Sequence, residues 1–211
     1  MTIAVVDYGA GNLRSVEKAL TRAGGAGVVV TSDPERVAAA DRVVLPGDGA
    51  FPDCRRALGE ASGLGEALDE AVRRRGRPFL GICIGMQLLA TEGEEHEPTQ
   101  GLGWIPGKVV RIEPGDAGLK VPHMGWNTLE RRRSHPLTDD LPLGDGGLHA
   151  YFLHAYHLTP DDAGDVVLAA SYGGDVTALV ARDNVAGVQF HPEKSQALGL
   201  SLLAGFVRWR P

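Results

Sequence analysis

Cysteine, long apolar runs and excess positive charge are all scarce in this chain, and each shortage excludes something. Only Cys54 and Cys83 occur among 211 residues. Two separated cysteines make neither a disulfide framework nor a metal-spaced cluster. No apolar run approaches the roughly 20 residues of a membrane-spanning helix. No basic leader precedes the apolar stretch at Thr2–Val6, so a signal peptide is not expected. Lys and Arg number 21 against 27 Asp and Glu, a formal net charge of -6, which argues against a mainly electrostatic nucleic-acid binder. The short runs Arg73–Arg75 and Arg131–Arg133 read as solvated faces, or as local patches for a partner or an anionic ligand. The expected setting is cytoplasmic and reducing, without a disulfide, a metal or a membrane.

What is present suits a globular fold. Hydrophobic residues make up 43% and charged residues 23%, which separates the chain from disordered sequences. The length fits one domain with a real core, and no repeat, low-complexity segment or linker divides it. A single domain over residues 1–211 is therefore expected.

The first half alternates strand and helix patterns. Thr2–Val6 reads as a buried strand, followed by a Gly-rich turn, Tyr8–Asn12. Asn12 is placed to cap a helix running to about Ala23. Val28–Val30 and Arg42–Leu45 read as strands, with a short helix opening at Asp33-Pro34 between them. Helices are expected near Ala50–Leu58 and Leu64–Arg75, a strand over Pro78–Ile82 and a helix over Ile84–Thr91. This alternation predicts an α/β fold with a parallel sheet between helices. From about Lys108 the pattern changes to short strand candidates: Val109–Ile112, Asn127–Leu129, Ala150–Leu153, Val166–Ser171, Thr177–Ala181 and Ala186–Gln189. Hairpins there make the sheet mixed, though still mostly parallel. Ser195–Trp209 closes the chain as a helix.

The strongest chemical signal is Gly81-Ile82-Cys83-Ile84-Gly85, a G-x-nucleophile-x-G elbow with cysteine as the nucleophile. A nucleophile on a sharp strand-to-helix turn needs small neighbours. The helix that follows aims its positive end at the sulfur and favours thiolate. The Ile84 N–H points where an oxyanion would form. Taken alone, Cys83 reads equally well as a small buried hydrophobe. Cys54, beside Arg55 and Arg56 in a helical stretch, reads as inert.

A cysteine nucleophile needs a base. His191 follows the apolar run Val185–Phe190; Pro192 interrupts the strand, and Glu193 can orient the imidazole and stabilise its cation. Pro46-Gly47-Asp48-Gly49 follows a strand with two glycines, which suits an oxyanion-binding turn or an ordinary one. Gly9-Ala10-Gly11-Asn12 resembles a nucleotide loop only weakly, because Arg14 stands where G-x-G-x-x-G requires its third glycine.

Gly47–Gly49, Gly81–Gln87 and His191-Pro192-Glu193 together resemble the class I, triad-type glutamine amidotransferases, in that family's order and roughly at its spacing. Asp7–Asn12, Pro122–Asn127, Tyr151–Tyr156 and His191–Ser195 look like the glutaminase subunits of imidazole glycerol phosphate synthases, and the likeness runs from Val5 to Ser195. The resemblance implies a single-domain amidotransferase fold and glutamine hydrolysis without a cofactor. In it, Cys83 is the nucleophile, His191 the base and Glu193 its orienting carboxylate. Gly47, Asp48, Gly49 and Ile84 lie at the oxyanion, and Gln87 and Glu95 at the bound glutamine. Glu95 also reads as part of a solvated acidic loop, Glu92–Glu97.

The implied partner is a separate (β/α)8-barrel cyclase. There ammonia attacks a phosphoribulosyl formimino carboxamide ribotide, giving imidazole glycerol phosphate and an aminoimidazole carboxamide ribotide. His123, Met124, Trp126 and Lys194 are the expected partner-facing residues, or else a packed edge of the fold. Two other readings are a glutaminase subunit for pyridoxal phosphate or anthranilate synthesis, and a non-enzymatic flavodoxin-like binding protein. The Pro122–Asn127 run argues against the first, and the His191–Glu193 pair against the second. Asp48 departs from the pattern, since many relatives carry an apolar residue there.

Overall fold

The computed structural model describes residues 1–115, 118–144 and 146–211. Strands β1 (Ile3–Val6), β2 (Val28–Thr31), β3 (Arg42–Gly47) and β4 (Phe79–Cys83) alternate with helices α1 (Leu13–Arg22), α2 (Pro34–Ala39), α3 (Phe51–Glu60) and α4 (Leu64–Leu68). A π-helical turn, Asp69–Arg74, extends α4, and the one-turn helix α5 (Ile84–Gln87) follows β4 directly. Then come β5 (Glu92–Gly93), β6 (Thr99–Gln100), β7 (Gly107–Arg111), β8 (His123–Asn127), β9 (Glu130–Arg131), β10 (Ala150–His154) and β11 (Tyr156–Pro160). Strands β12 (Val166–Ser171), β13 (Asp175–Arg182) and β14 (Val185–Val188) and helix α6 (Gln196–Arg208) complete the chain.

The main sheet has the order β2-β1-β3-β4-β14-β13-β12-β9. It is parallel from β2 to β14 and antiparallel beyond. The expected mixed α/β sheet is therefore present. Ile3, Ala4, Val5 and Val6 are all fully buried, as they must be in a strand covered by helices on both faces. A hairpin of β8 and β10 and a smaller sheet, β11-β7-β5-β6, flank the main sheet. Strands β3, β4 and β14 end side by side, with Gly47 opposite Cys83. Ligands of such sheets bind beyond the strands' carboxyl ends.

Several expectations require correction. Asn12 occupies the N-cap position of α1 but makes no side-chain capping bond. The helix expected over Ile84–Thr91 is a single turn. Past Gln87 the chain tightens, and the carbonyls of Leu88, Leu89 and Ala90 accept from Leu102, Ile105 and Gly103, so no α-ladder continues. The segment Asn127–Leu129 is where β8 ends, not a strand. β8 lies earlier because its pattern is inverted: His123 is buried while Met124 and Trp126 are exposed. Strand β11 was not expected at all.

The two basic runs make internal contacts. Arg74 and Arg75 pair with Glu70. Arg131 donates to the Thr138 carbonyl, Arg132 pairs with Asp175, and Arg133 donates to the Ala181 carbonyl. Among the described residues no helix is long and apolar enough to cross a membrane.

Candidate active site

Cys83 sits at the junction of β4 and α5 with φ 55° and ψ -112°. A non-glycine residue held there costs on the order of 1–3 kcal/mol and persists only where its surroundings enforce it. The enforcing contacts are tight. A Cβ on Gly81 would collide with the Gly85 carbonyl, and one on Gly85 with the Leu45 carbonyl. A Cβ on Gly47 would lie 2.9 Å from the Gly85 nitrogen and 2.7 Å from the Tyr8 hydroxyl. The glycines let β3, β4 and α5 approach closely enough to turn the thiol out of the sheet. With only one helical turn behind it, the macrodipole expected from a longer helix is reduced to the local N–H groups of α5.

Beyond β14, the Gln189 N–H still pairs with the Ala178 carbonyl, and the His191 N–H donates to Tyr151. Pro192–Lys194 forms a 3₁₀ turn. The turn brings Glu193 back beneath His191, and Nδ1–H donates to Oε1 across 2.9 Å. The Ser195 hydroxyl donates to the His191 carbonyl at 2.6 Å and accepts from the Tyr151 N–H at 2.9 Å. The histidine backbone is thus clamped to β10. Burial by itself lowers the His191 pKa. Hydrogen bonds to Cys83 and Glu193, and their negative charge, outweigh it and raise the value to about 10. The imidazole therefore holds its proton at neutral pH, beside the Cys83 sulfur.

Cys83, His191 and Glu193 line one cavity of about 350 Å³. Gly47, Asp48, Gly49, Ile84, Gln87 and Glu95 line it too, so every residue expected at the substrate is brought to one place. Glu95 is not a free loop carboxylate: its Oε2 accepts from the Phe51 N–H at 2.7 Å and thereby caps α3. Asp48 is tied twice. Its Oδ1 accepts from the Gly11 N–H at 2.8 Å, and its carbonyl accepts from the Cys54 thiol at 3.1 Å. Burial pushes the Cys54 thiol up to about 11, so it remains a protonated donor. This agrees with the inert reading.

The residues expected at the partner divide. Met124 is 66% and Trp126 48% exposed, with Leu153 opposite Met124 and Tyr151 opposite Trp126 in the hairpin. Lys194 is exposed, its ammonium 5.7 Å from the centre of the Tyr151 ring. His123 is a correction: it is 2% exposed, stacked between Phe152 and Tyr172 at 4.5 and 4.0 Å. It supports that face from beneath and does not form it.

Two side chains of the site were missed by sequence reasoning. His154 lines the cavity, with Nδ1–H donating to the Tyr156 carbonyl at 2.8 Å. Gln189 is fully buried against Cys83. For Gln189 a signal existed, a lone amide inside the apolar run Val185–Phe190. His154 lies within the run Tyr151–Tyr156 that carried part of the resemblance, without a role assigned to it.

The model of the family "Glutamine amidotransferase class-I" matches residues 4–208. The chain belongs to the class-I glutamine amidotransferases. It is 58% identical to the imidazole glycerol phosphate synthase subunit HisH of Rhizobium meliloti, and 55% identical to that of Rhodopseudomonas palustris. Each comparison covers 100% of both chains. Among solved structures, a glutamine amidotransferase aligns with a TM-score of 0.72 at 22% identity, covering 97% of this chain and 100% of its own. The glutaminase domain of Trypanosoma brucei CTPS with bound acivicin aligns with 0.65 at 15%, covering 97% and 92%. At those identities the structures speak for the amidotransferase fold alone.

Proposed function

We propose that this amidotransferase is the glutaminase subunit of an imidazole glycerol phosphate synthase, acting in histidine biosynthesis. It hydrolyses glutamine to glutamate and ammonia and supplies the ammonia to a (β/α)8-barrel cyclase subunit, in a heterodimer. The observation that carries the chemistry is the elbow thiol sharing one cavity with the His191–Glu193 pair. Full-length likeness to HisH subunits, with no remainder on either chain, favours this synthase over pyridoxal phosphate or anthranilate synthesis.

In the proposed mechanism the Cys83 proton already rests on His191, and the thiolate attacks the glutamine side-chain amide. Main-chain N–H groups of the Gly47–Gly49 segment and of Ile84 hold the tetrahedral oxyanion. His191 returns the proton to the leaving ammonia. Water, deprotonated by His191, then cleaves the thioester to glutamate. Glu193 keeps the imidazole in its working tautomer. Gln87 and Glu95 are the proposed contacts of the bound amino acid.

The cavity extends from the triad to Pro122, Leu153 and Lys194, at the foot of the exposed Met124–Trp126 face. A partner seated there closes the cavity against water, which protects ammonia from protonation and loss. The expected setting for both subunits is the cytoplasm. The decisive measurement is glutamine turnover of Cys83→Ala with the cyclase subunit present. Loss of turnover on the order of 10⁶-fold, the scale for removal of a nucleophile, is expected. Full turnover, or a thioester still trapped, overturns the assignment. Failure of the chain to co-purify with a barrel cyclase overturns the assembly.

A further inference from the structure

Gln189 is fully buried next to the nucleophile, and nothing in the triad accounts for an amide there. Its terminal nitrogen lies 3.7 Å from the Cys83 sulfur, and its Oε1 lies 3.0 Å from the Gln87 amide nitrogen. That nitrogen also lies 2.9 Å from the Tyr156 carbonyl.

The direction of this chain of amides is forced by its last member. A main-chain carbonyl only accepts, so the Gln87 atom facing Tyr156 is the NH₂ group. Its second hydrogen then meets Gln189, whose facing atom must be the oxygen. The other end of Gln189, the NH₂, is left directed at sulfur. Rotating either amide by 180° would set two acceptors, or two donors, against each other, at the cost of buried polar groups without partners. Tyr156, on β11 of the smaller sheet, thus determines which atom the nucleophile meets.

We infer that Gln189 is a dedicated hydrogen-bond donor to the Cys83 thiolate, held in that orientation by Gln87 and the Tyr156 carbonyl. A donor to the charged form favours that form. His191 supplies the opposite charge from one side, and Gln189 supplies an uncharged donor from another. Gln189 cannot itself take the proton, so it stabilises thiolate without competing with His191 as base. Gln87 then has a second duty beside its proposed substrate contact, that of a positioning residue for Gln189.

The inference rests on Cys83 being the nucleophile, and the test separates the two. The rate of iodoacetamide alkylation, mapped to Cys83 by peptide mass spectrometry, is measured against pH in the isolated full chain without glutamine. Absence of alkylation in the wild-type chain overturns the nucleophile assignment itself. With wild-type labelling established, Gln189→Met keeps the volume and removes the donor. It is expected to slow labelling at pH 7 roughly tenfold and to move the midpoint of the profile to higher pH. Gln189→Glu places an acceptor of like charge at the sulfur and should move it further in the same direction. With the cyclase present, glutamine turnover by Gln189→Met should fall at pH 7 and recover in part as pH rises, which a merely structural role does not produce. Wild-type midpoints in both variants overturn the inference. Should Gln189→Met fail to fold, Gln87→Met carries the same question: it releases the Gln189 amide, and an unmoved midpoint there is equally fatal.

Discussion

Two groups of buried histidines lie within one end of the molecule and behave in opposite ways. His191 is raised to about 10, whereas His123 is lowered to about 4 and His154 to about 3. Burial is the largest single cause for all three, and it always acts downward. The difference is the company each keeps. His191 has the Glu193 carboxylate and the Cys83 sulfur within hydrogen-bond reach. His123 stacks on Phe152 and Tyr172 and accepts from the Asn127 amide. His154 gives its one proton to a neutral carbonyl. One fold therefore keeps a charged imidazole at its elbow and neutral imidazoles in the adjoining hairpin, and the partners decide which.

The largest break in that comparison is Glu193→Gln, which removes the carboxylate but keeps the shape. His191 then resembles its neutral neighbours, and glutamine turnover should fall about 10⁴-fold, the scale for neutralising a triad carboxylate. Turnover within a few fold of wild type would mean that Cys83 alone holds the imidazolium.

Trp126→Ala probes the outer face of the hairpin whose inner face holds His123. Loss of a half-exposed aromatic at a partner surface should weaken association with the cyclase about 30-fold, measured by calorimetry, while iodoacetamide labelling of Cys83 in the isolated chain stays unchanged. An unaltered affinity removes that face from the proposed interface.

Asp48→Val releases Gly11 and loosens the Gly47–Gly49 segment, whereas Asp48→Asn keeps the acceptor. A loss of about fivefold in kcat, with KM little moved, is expected for valine and little loss for asparagine. Equal behaviour of the two variants would assign the effect to charge and not to the tether.

The smallest signal is spread over several pH units in urea unfolding. His191 is raised when folded, so its contribution is complete below about 6.5 and is lost as pH rises toward 10. His123 and His154 are lowered, so theirs is complete above about 6.5 and is lost as pH falls toward 4 and 3. Glu193→Gln should flatten the alkaline limb, and His123→Phe part of the acid limb. Limbs that do not respond separately would dissolve the distinction between the two groups.

The parallel half was readable because its strands are continuous apolar runs, as at Ile3–Val6 and Phe79–Cys83. The candidate triad was readable because elbow and base carry local signatures, Gly-x-Cys-x-Gly and His-Pro-Glu. The hairpin was not. Its large apolar residues, Met124 and Trp126, face solvent while His123 faces the core, the reverse of the alternation that marks a strand. Nor did any local pattern reveal that α5 stops after one turn, since the carbonyls just past it, of Leu88, Leu89 and Ala90, are diverted to Leu102, Ile105 and Gly103 by tertiary contact.

The sequence by itself determined the family and the candidates for nucleophile, base and the carboxylate behind that base. Those roles depend on residue type and on short-range spacing at strand ends, where the chemistry and the chain path coincide. Only the tertiary structure decided what surrounds them: Glu95 capping α3, Asp48 held by Gly11 and Cys54, and Gln189 turned toward the sulfur. The bonds of Glu95 to Phe51, Asp48 to Gly11 and Gln189 to Cys83 join residues far apart in the chain, and each donor meets its acceptor only after the strands have come together.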